Sequence, residues 1–321
     1  MSPLSRRGFV QLAGAACLTG ATGVSAVPAF ASPQTSGSPI RLGVVARVPR
    51  GGSPRETIAR VHQLGFSTCQ TGFSEPVAPA AVQQLKAALA EFQIEGTAML
   101  AAMPGADVYN FYDGPLTIGI VPPATRRIRV DALKATADMA AECGIPAVHT
   151  HCGFVPENPN DPLYQPAVQA LREVAEHCKQ QGRMFYCETG QETPITLLRF
   201  IEDAGMDNVF VNLDVANFIL YDKANPVDAM DVLGTRVRGM HAKDGLFPTD
   251  PRNLGKEVPI GQGKVDFRRV IQRLRDVNYP GAMTIEREIH GPQQGPDILA
   301  SKAYLEKMIA EVYSTPSGSN A

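Results

Sequence analysis

The sequence lacks three features that would each indicate a particular class of protein. Lys and Arg number 30 against 32 Asp and Glu, the net charge is −2, and no basic block occurs, which argues against binding to nucleic acid. The six cysteines are scattered rather than arranged as a disulfide framework. The apolar run near the N-terminus is too short and too rich in glycine to span a membrane well. The whole sequence is 44% hydrophobic and 19% charged, which is an ordinary globular composition.

The N-terminal segment has the pattern of an export signal. Arg6 and Arg7 precede the apolar run, and Ala29-Phe30-Ala31 supplies a small-x-small cleavage site. This pattern predicts a twin-arginine signal over residues 1–31, followed by a linker over residues 32–39. The expected partner is therefore the twin-arginine export machinery and the expected location is the periplasm. Cys17 lacks a Leu three positions earlier, so we expect no lipid anchor and no other stable membrane anchor.

Strand-like and helix-like patterns alternate along the rest of the chain. Eight apolar runs are each followed by a segment with helical spacing, and this alternation predicts a parallel sheet. Eight such units between residues 40 and 313 predict a single α/β domain, a closed (β/α)₈ TIM barrel, with residues 314–321 as a disordered tail. A doubly wound open sheet is the alternative, but Gly51-Gly52-Ser53 is a weak match to its phosphate-binding loop. The predicted strands are Ile40–Val48, Ser67–Phe73, Ile94–Met103, Ala147–Phe154, Met184–Cys187, Val209–Val215, Val237–Ala242 and Ala282–Glu286.

Each of the last four predicted strands ends in one potential metal ligand. The spacings between these residues are 26, 27 and 45 positions, and the first two match one strand–helix unit of roughly 30 residues. Polar residues at the carboxyl ends of barrel strands point into the mouth of the barrel, so we expect a site for one divalent cation. Its oxygen-rich ligands favour Mn²⁺ or Mg²⁺, with Co²⁺ or Zn²⁺ tolerated because of the imidazole. A network of structural carboxylates is the alternative. The four residues are Glu188, Asp214, His241 and Glu286.

The motifs around these residues resemble the xylose-isomerase-like TIM-barrel superfamily, and more closely its sugar phosphate isomerase/epimerase branch. They are Cys187-Glu188-Thr189, Asn212-Leu213-Asp214-Val215-Ala216-Asn217, His241-Ala242-Lys243-Asp244 and Gly261-Gln262-Gly263-Lys264-Val265-Asp266-Phe267. The resemblance covers nearly all of the chain after residue 31. It implies that the four residues bind one divalent metal ion, and that Glu188 and Glu286 also move a substrate proton through an enediolate. We expect these two side chains to face each other across the barrel.

An endonuclease branch of the same superfamily uses three zinc ions. The resemblance to that branch fails at two places. Asn217 stands where its pattern has His, and the loop 261–266 contains no Asp-x-His. Two further metal ions would lack ligands, so we do not expect a nuclease.

Other polar residues are candidates for substrate binding or catalysis. His149 and His151 lie two apart on a strand and share a face; we expect His151 to assist as an acid or to bind a hydroxyl, and His149 to contact substrate. Lys243 is expected to stabilise negative charge, or alternatively to pair with a carboxylate. In the long loop 104–123, aromatic residues could stack on a sugar. Tyr112, Asp113 and Asn217 complete the predicted substrate contacts.

The sequence thus predicts a metal-dependent isomerase or epimerase of a non-phosphorylated sugar or keto-sugar. A lyase or hydrolase that cleaves 3-keto-glycosides by the same proton abstraction is the main alternative, and a non-catalytic sugar-binding barrel is a third. Glu192 is expected to offset the dipole of the helix that follows it rather than to act in catalysis. The exact substrate and the oligomeric state, including a homo-oligomer, are left open.

Overall fold

The computed structural model describes residues 39–315. In it the apolar runs form short strands, and these strands are arranged in a ring. Alternation with helices makes all of the ring strands parallel, and their buried faces explain the apolar composition of the runs. Two further three-residue strands form a separate antiparallel hairpin. The strands are β1 Leu42–Val48, β2 Thr68–Phe73, β3 Glu95–Leu100, β4 Ala147–His151, β5 Met184–Glu188, β6 Val209–Asp214, β7 Val237–Ala242, β8 Asp244–Leu246, β9 Lys256–Val258 and β10 Met283–Ile285.

The helices cover the outside of the ring, and several begin with a proline. Proline suits the first helical turn because its missing N–H would have no partner there. The helices are α1 Pro54–Gln63, α2 Pro79–Glu91, α3 Gly114–Thr117, α4 Pro123–Cys143, α5 Tyr164–Gln180, α6 Pro194–Ala204, α7 Val215–Leu220, α8 Pro226–Leu233, α9 Phe267–Asp276 and α10 Gln294–Ser314, with a 3₁₀ turn at Gly234–Arg236.

The ring closes in the order β1-β10-β7-β6-β5-β4-β3-β2. The closing pair is β1 with β10, where Val44 is level with Ile285. The prediction of a single-domain TIM barrel is therefore confirmed. All eight carboxyl ends point to one rim, which is where this architecture places its sites.

Some predicted boundaries differ from the structure, and one helix was not predicted. The sequence pattern predicts a helix over Arg126–Cys143, but α4 begins at Pro123 because proline suits its first position. The pattern also predicts a helix over Asp297–Tyr313, and α10 begins at Gln294. Strand β3 spans Glu95–Leu100 and is shorter than the predicted Ile94–Met103. Helix α7, which follows β6 directly, was not predicted, because its apolar residues continue the strand pattern. The export signal predicted for residues 1–31 lies outside the described residues, as do most of the linker and the tail. Among residues 39–315, no helix combines the length and hydropathy needed to cross a membrane.

The hairpin β8–β9 and the loop after it were also not predicted as structure. Asp244 organises them, because its two carboxylate oxygens accept hydrogen bonds from the backbone N–H groups of four residues, listed here: Gly245, Gly261, Gly263 and Val265. A Cβ at Gly263 would lie 2.0 Å from Asp244 Oδ1, so only glycine fits this approach. The Gly-Gln-Gly motif therefore shapes a loop beside the barrel mouth.

Candidate functional site

The four candidate metal ligands converge at the carboxyl-terminal rim of the barrel. One ligand atom from each lies within 4.8 Å of those from the other three. The imidazole is central: its Nδ1 is 2.9 Å from Glu188 Oε1, 3.5 Å from Asp214 Oδ2 and 3.2 Å from Glu286 Oε2. We call these four residues the ligand cluster. Its members are Glu188, Asp214, His241 and Glu286.

The composition of the ligand cluster fits a cation. Asp214 Oδ2 and His241 Nδ1 are both buried. Lys243 Nζ lies 3.1 Å from Asp214 Oδ2, and Glu188 Oε1 lies 2.9 Å from His241 Nδ1, so a bound cation would replace contacts that these charged groups make with one another. Three carboxylate oxygens and one imidazole nitrogen form a ligand set suited to a divalent ion. The residues present therefore fit the metal that the sequence predicts.

Two buried amide side chains, Gln70 on β2 and Asn212 on β6, orient His241. Its Nε2 lies 2.8 Å from Gln70 Oε1, and Gln70 Nε2 donates to Asn212 Oδ1 at 2.8 Å. This chain fixes the amide of Gln70 so that its oxygen accepts the Nε2 proton, which leaves Nδ1 for a metal. Outer partners of this kind set the tautomer and the affinity of metal-binding histidines. Gln70 was not predicted as a site residue, although an uncharged polar side chain in a wholly buried strand needs a partner.

Asp214 is held by the start of helix α7. Its Oδ1 accepts hydrogen bonds from the backbone N–H groups of Ala216 and Asn217, both at 2.9 Å, as an N-cap. Oδ2 is thereby turned towards the ligand cluster. The Asn217 side chain donates to Thr189 O at 3.1 Å and is buried. Asn217 thus supports the two strand ends, and its predicted substrate contact stays a prediction.

Both predicted histidines of β4 reach Glu188. His149 Nε2 is 2.8 Å and His151 Nε2 is 3.2 Å from Glu188 Oε2. Burial alone would raise the pKa of Glu188, but His151, His149 and His241 together hold that pKa well below its ordinary value. Burial also lowers the pKa of His149. Glu188 is therefore a carboxylate at neutral pH, as both metal binding and proton abstraction require.

Lys243 is enclosed by acidic groups. Its Nζ lies 3.1 Å from Asp214 Oδ2, 2.9 Å from Glu286 Oε2 and 3.2 Å from Glu288 Oε2. Burial opposes its charge, yet these carboxylates raise the pKa of Lys243 well above its ordinary value. The pKa of Glu286 is lowered in turn: burial would raise it, but His241 and Lys243 outweigh that effect. The charge-partner interpretation of Lys243 matches this geometry, and its catalytic role stays a prediction.

The two glutamates are not diametrically opposed. Strands β6 and β7 separate β5 from β10 on one side of the ring, and β4, β3, β2 and β1 separate them on the other. The expectation that Glu188 and Glu286 face each other straight across the barrel is therefore inaccurate. They approach the ligand cluster from strands that are three positions apart in the eight-stranded ring.

A cavity of about 820 Å³ opens above the ligand cluster. Glu188, Glu286, His149 and His151 lie at its base, and Tyr109 lines its wall. The ring of Tyr109 meets that of His151 edge-on, with the centroids 5.9 Å apart. The volume lies in the upper part of the range of about 300–1,000 Å³ usual for small-molecule sites.

The structure places the two predicted contacts of the long loop away from this cavity. Tyr112 is exposed and stacks under the guanidinium of Arg252, 4.3 Å from the ring centroid. Asp113 accepts a hydrogen bond from Asn110 Nδ2 at 3.0 Å. Neither is among the residues that line the cavity. The roles of Tyr112 and Asp113 in substrate binding stay predictions. Tyr109, from the same loop, does line the cavity.

Glu192 differs from what the sequence suggests. It is buried, and neither carboxyl oxygen makes a hydrogen bond. Burial raises its pKa to about 8. Burial thus favours its uncharged form, which would offset a helix dipole less than a carboxylate does, and the expected role of Glu192 stays a prediction.

Comparison with known proteins identifies the family to which the chain is similar. The model of a family described as xylose isomerase-like TIM barrel matches residues 58–308. An uncharacterized protein of Methanocaldococcus jannaschii, MJ1311, is 24% identical over 195 residues, which cover 56% of this chain and only 64% of that protein. An L-ribulose 3-epimerase of Mesorhizobium japonicum is 23% identical over 239 residues, 72% of this chain and 74% of that enzyme.

Solved structures show the same architecture. A xylose isomerase domain protein from Planctomyces limnophilus superposes with a TM-score of 0.78 and 29% identity. The alignment covers 86% of this chain and all of that one.

Proposed function

This chain belongs to the xylose isomerase-like TIM barrel family, and from that premise we propose that it is a divalent-metal-dependent epimerase or isomerase of a sugar or keto-sugar. The observation that carries the proposal is the ligand cluster, whose four side chains each bring one ligand atom within 4.8 Å of those of the other three. The epimerase among its relatives supports the same reaction class.

The ligand cluster would hold the ion. When bound, a divalent cation would polarise the substrate carbonyl and stabilise the negative charge that develops on its oxygens. The low pKa of Glu188 and of Glu286 keeps both as carboxylates.

We assign the proton movements to these two glutamates. One carboxylate removes the proton next to the carbonyl, and the other returns a proton from a different side of the same carbon, which inverts it. Return of the proton to the neighbouring carbon instead would interconvert an aldose and a ketose. His151 is placed to accept or donate a proton near Glu188, because its Nε2 lies 3.2 Å away and the residue lines the cavity.

Lys243 would counter the negative charge. It lies against Glu286 and Asp214, and therefore balances the carboxylates as charge shifts during the proton transfer. His149, buried beneath Glu188, holds that carboxylate in place.

Cleavage of 3-keto-glycosides is a second candidate, favoured by the size of the cavity. About 820 Å³ leaves room for a substituent beyond one sugar ring. The same proton abstraction beside a ketone would then expel the glycosidic oxygen. Product analysis with keto-glycosides separates the two: a new diastereomer means epimerisation, and release of the aglycone means elimination.

Solvent-deuterium exchange tests the main proposal. The purified protein, loaded with Mn²⁺, is incubated with free ketoses in deuterated water. We expect deuterium at the carbon next to the carbonyl, with loss of exchange after chelation and recovery when Mn²⁺ returns. Absence of exchange from every ketose and keto-glycoside tested would favour a sugar-binding barrel without catalytic activity.

Export by the twin-arginine route is a separate proposal, supported by Arg6, Arg7 and Ala29-Phe30-Ala31. Replacement of both arginines by lysine should retain the protein inside the cell. Equal periplasmic amounts of the two forms after fractionation would contradict it.

A further inference from the structure

Arg47, at the carboxyl-terminal end of β1, is a cation without an anionic partner. It is exposed and lines the cavity above the ligand cluster. Its Nη1 donates to two backbone carbonyls, Phe73 O at 3.2 Å and Ala101 O at 3.1 Å. Within residues 39–315 these are its hydrogen bonds, and it forms no ion pair. The Nε and Nη2 donors are therefore available to a ligand.

Two other arginines line the cavity, Arg60 and Arg287. Arg60, on α1, donates to Gln294 Oε1 at 3.3 Å. Arg287 is neutralised, because it pairs with Glu257 at 2.8 Å and with Asp297 at 2.9 Å. These carboxylates occupy the donors that a ligand would need. Arg47 thus differs from Arg287 in charge balance, although both face the same cavity.

Protein atoms surround Arg47 although its side chain is open to the cavity. This burial lowers the pKa of its guanidinium, while Tyr109, Glu286, Glu188 and Asp107 act in the opposite direction. Arginine nevertheless stays protonated in proteins. Within residues 39–315 no carboxylate lies in hydrogen-bond contact with this exposed guanidinium, and an anionic ligand in the cavity would supply that partner.

The strand register sets the separation between Arg47 and the proposed reacting centre. Val44 is level with Ile285, so Val45 is level with Glu286, and Arg47 lies two residues further towards the rim on the same face. Two residues rise about 6.6 Å along a strand, and neighbouring strands are about 4.8 Å apart. The Cα atoms of Arg47 and Glu286 are therefore roughly 8 Å apart by this spacing. A chain of five or six carbons can reach from one side chain to the other.

We propose that Arg47 binds a carboxylate at the far end of the substrate, so that the substrate class is a keto-sugar acid. This inference rests on the proposed function, because it takes the reacting carbons to lie between Glu188 and Glu286. The free Nε–Nη2 edge matches a planar carboxylate with two parallel hydrogen bonds. A phosphate ester would bring two charges to one guanidinium beside Asp107 and Glu288, which also line the cavity.

A matched pair of probes tests the assignment. L-Sorbose and 5-keto-D-gluconate differ only in one terminal group, a hydroxymethyl in the first and a carboxylate in the second. Calorimetric titration of the Mn²⁺-loaded protein should show the acid binding about 10- to 100-fold more tightly, as expected for hydrogen bonds to a charged group. In Arg47→Gln this ratio should fall to within about twofold, and Arg47→Lys should keep part of it.

Arg126→Gln is the matched control. Arg126 also donates to two backbone carbonyls, Ile120 O and Val121 O, but it does not line the cavity. Its variant should keep the wild-type ratio. A purely structural role of Arg47 would change the stability of Arg47→Gln without changing the preference for the acid.

Several outcomes would overturn the proposal. They are equal binding of the two probes, no binding of the acid to the wild type, and a preference that survives in Arg47→Gln. A preference for D-fructose 6-phosphate over D-fructose larger than that for the acid would assign the site to phosphate instead. Deuterium exchange is measured separately. An acid preference without exchange would contradict the proposed reaction and not Arg47, whereas exchange of neutral ketoses without an acid preference would contradict Arg47 alone.

Discussion

The two halves of the barrel differ in what they contribute to the rim. Strands β5, β6 and β7 and the end of β10 supply all four members of the ligand cluster. Strands β1 to β4 supply Gln70, which holds His241, and the two histidines that hold Glu188. They also supply Arg47, which we assign to the substrate. The later half thus carries the candidate metal ligands, and the earlier half supplies side chains that contact those ligands and line the cavity.

The largest difference between the halves should appear when one glutamate in each is neutralised. Glu286→Gln removes a metal ligand and a proton carrier, so we expect turnover to fall by about 10³- to 10⁴-fold while the fold is kept. Glu95→Gln makes the same change at the start of β3, where Glu95 pairs with Arg41, and should leave turnover within about twofold. Steady-state kinetics of both variants, with circular dichroism, make the comparison. Near-normal turnover in Glu286→Gln would refute its role.

Within the later half, Glu188 and Glu192 differ in charge, and pH should reveal it. The pKa of Glu192 is about 8 in the folded protein against an ordinary value near 4.5, so the folded state binds the extra proton between these values. The sign follows from proton linkage: stability is full below about pH 4.5 and is lost as pH rises through 8. The loss attributable to Glu192 is at most about 5 kcal/mol.

Urea unfolding at pH 6 and pH 9 measures the part of this loss that falls between those two pH values. Glu192→Gln cannot ionise, and should lose less stability between the two pH values than the wild type. Glu202→Gln, an exposed change on α6, is the control and should follow the wild type. The same pH dependence in all three proteins would show that Glu192 titrates normally.

Support from the earlier half should affect metal affinity more than stability. Gln70→Leu leaves the Nε2 proton of His241 without its acceptor, and we expect metal affinity to fall by about 10- to 100-fold. Gln83→Leu, on the surface of α2, removes a glutamine that bonds only Glu142 and should change nothing. Calorimetric titration with Mn²⁺ gives both affinities. Unchanged affinity in Gln70→Leu would mean that the earlier half does not position the ligands.

The smallest expected effect distinguishes two aromatic residues of one loop. Tyr109 lines the cavity and Tyr112 does not, so Tyr109→Ala should raise KM by about 2- to 10-fold. Tyr112→Ala should leave KM nearly unchanged. A larger effect at Tyr112 would favour the substrate contact that the sequence predicts for it.

The ligand cluster could be predicted from sequence because each member ends an apolar run. Barrel geometry then brings the strand ends together without any knowledge of side-chain packing. The boundary errors arise where a local pattern continues past the element: Val215–Leu220 is as apolar as the strand before it, yet Asp214 caps it as a helix. The three-residue strands of the hairpin are too short to show alternation.

The supporting residues could not be predicted in the same way. Gln70 bonds partners 142 and 171 positions away, and no local pattern links such residues. Arg47 is visible in sequence only as the charged end of a strand. Its significance depends on which charges face it, and those charges, among them Glu188 and Glu286, come from segments far away in the sequence.

Anomalous diffraction from crystals grown with Mn²⁺ tests the central claim most directly. One strong anomalous peak should lie among Glu188, Asp214, His241 and Glu286, within about 2.0–2.3 Å of one atom from each. The peak should vanish in crystals of Asp214→Ala. Wild-type crystals with no peak at this position, or with Mn²⁺ bound elsewhere, would contradict the account.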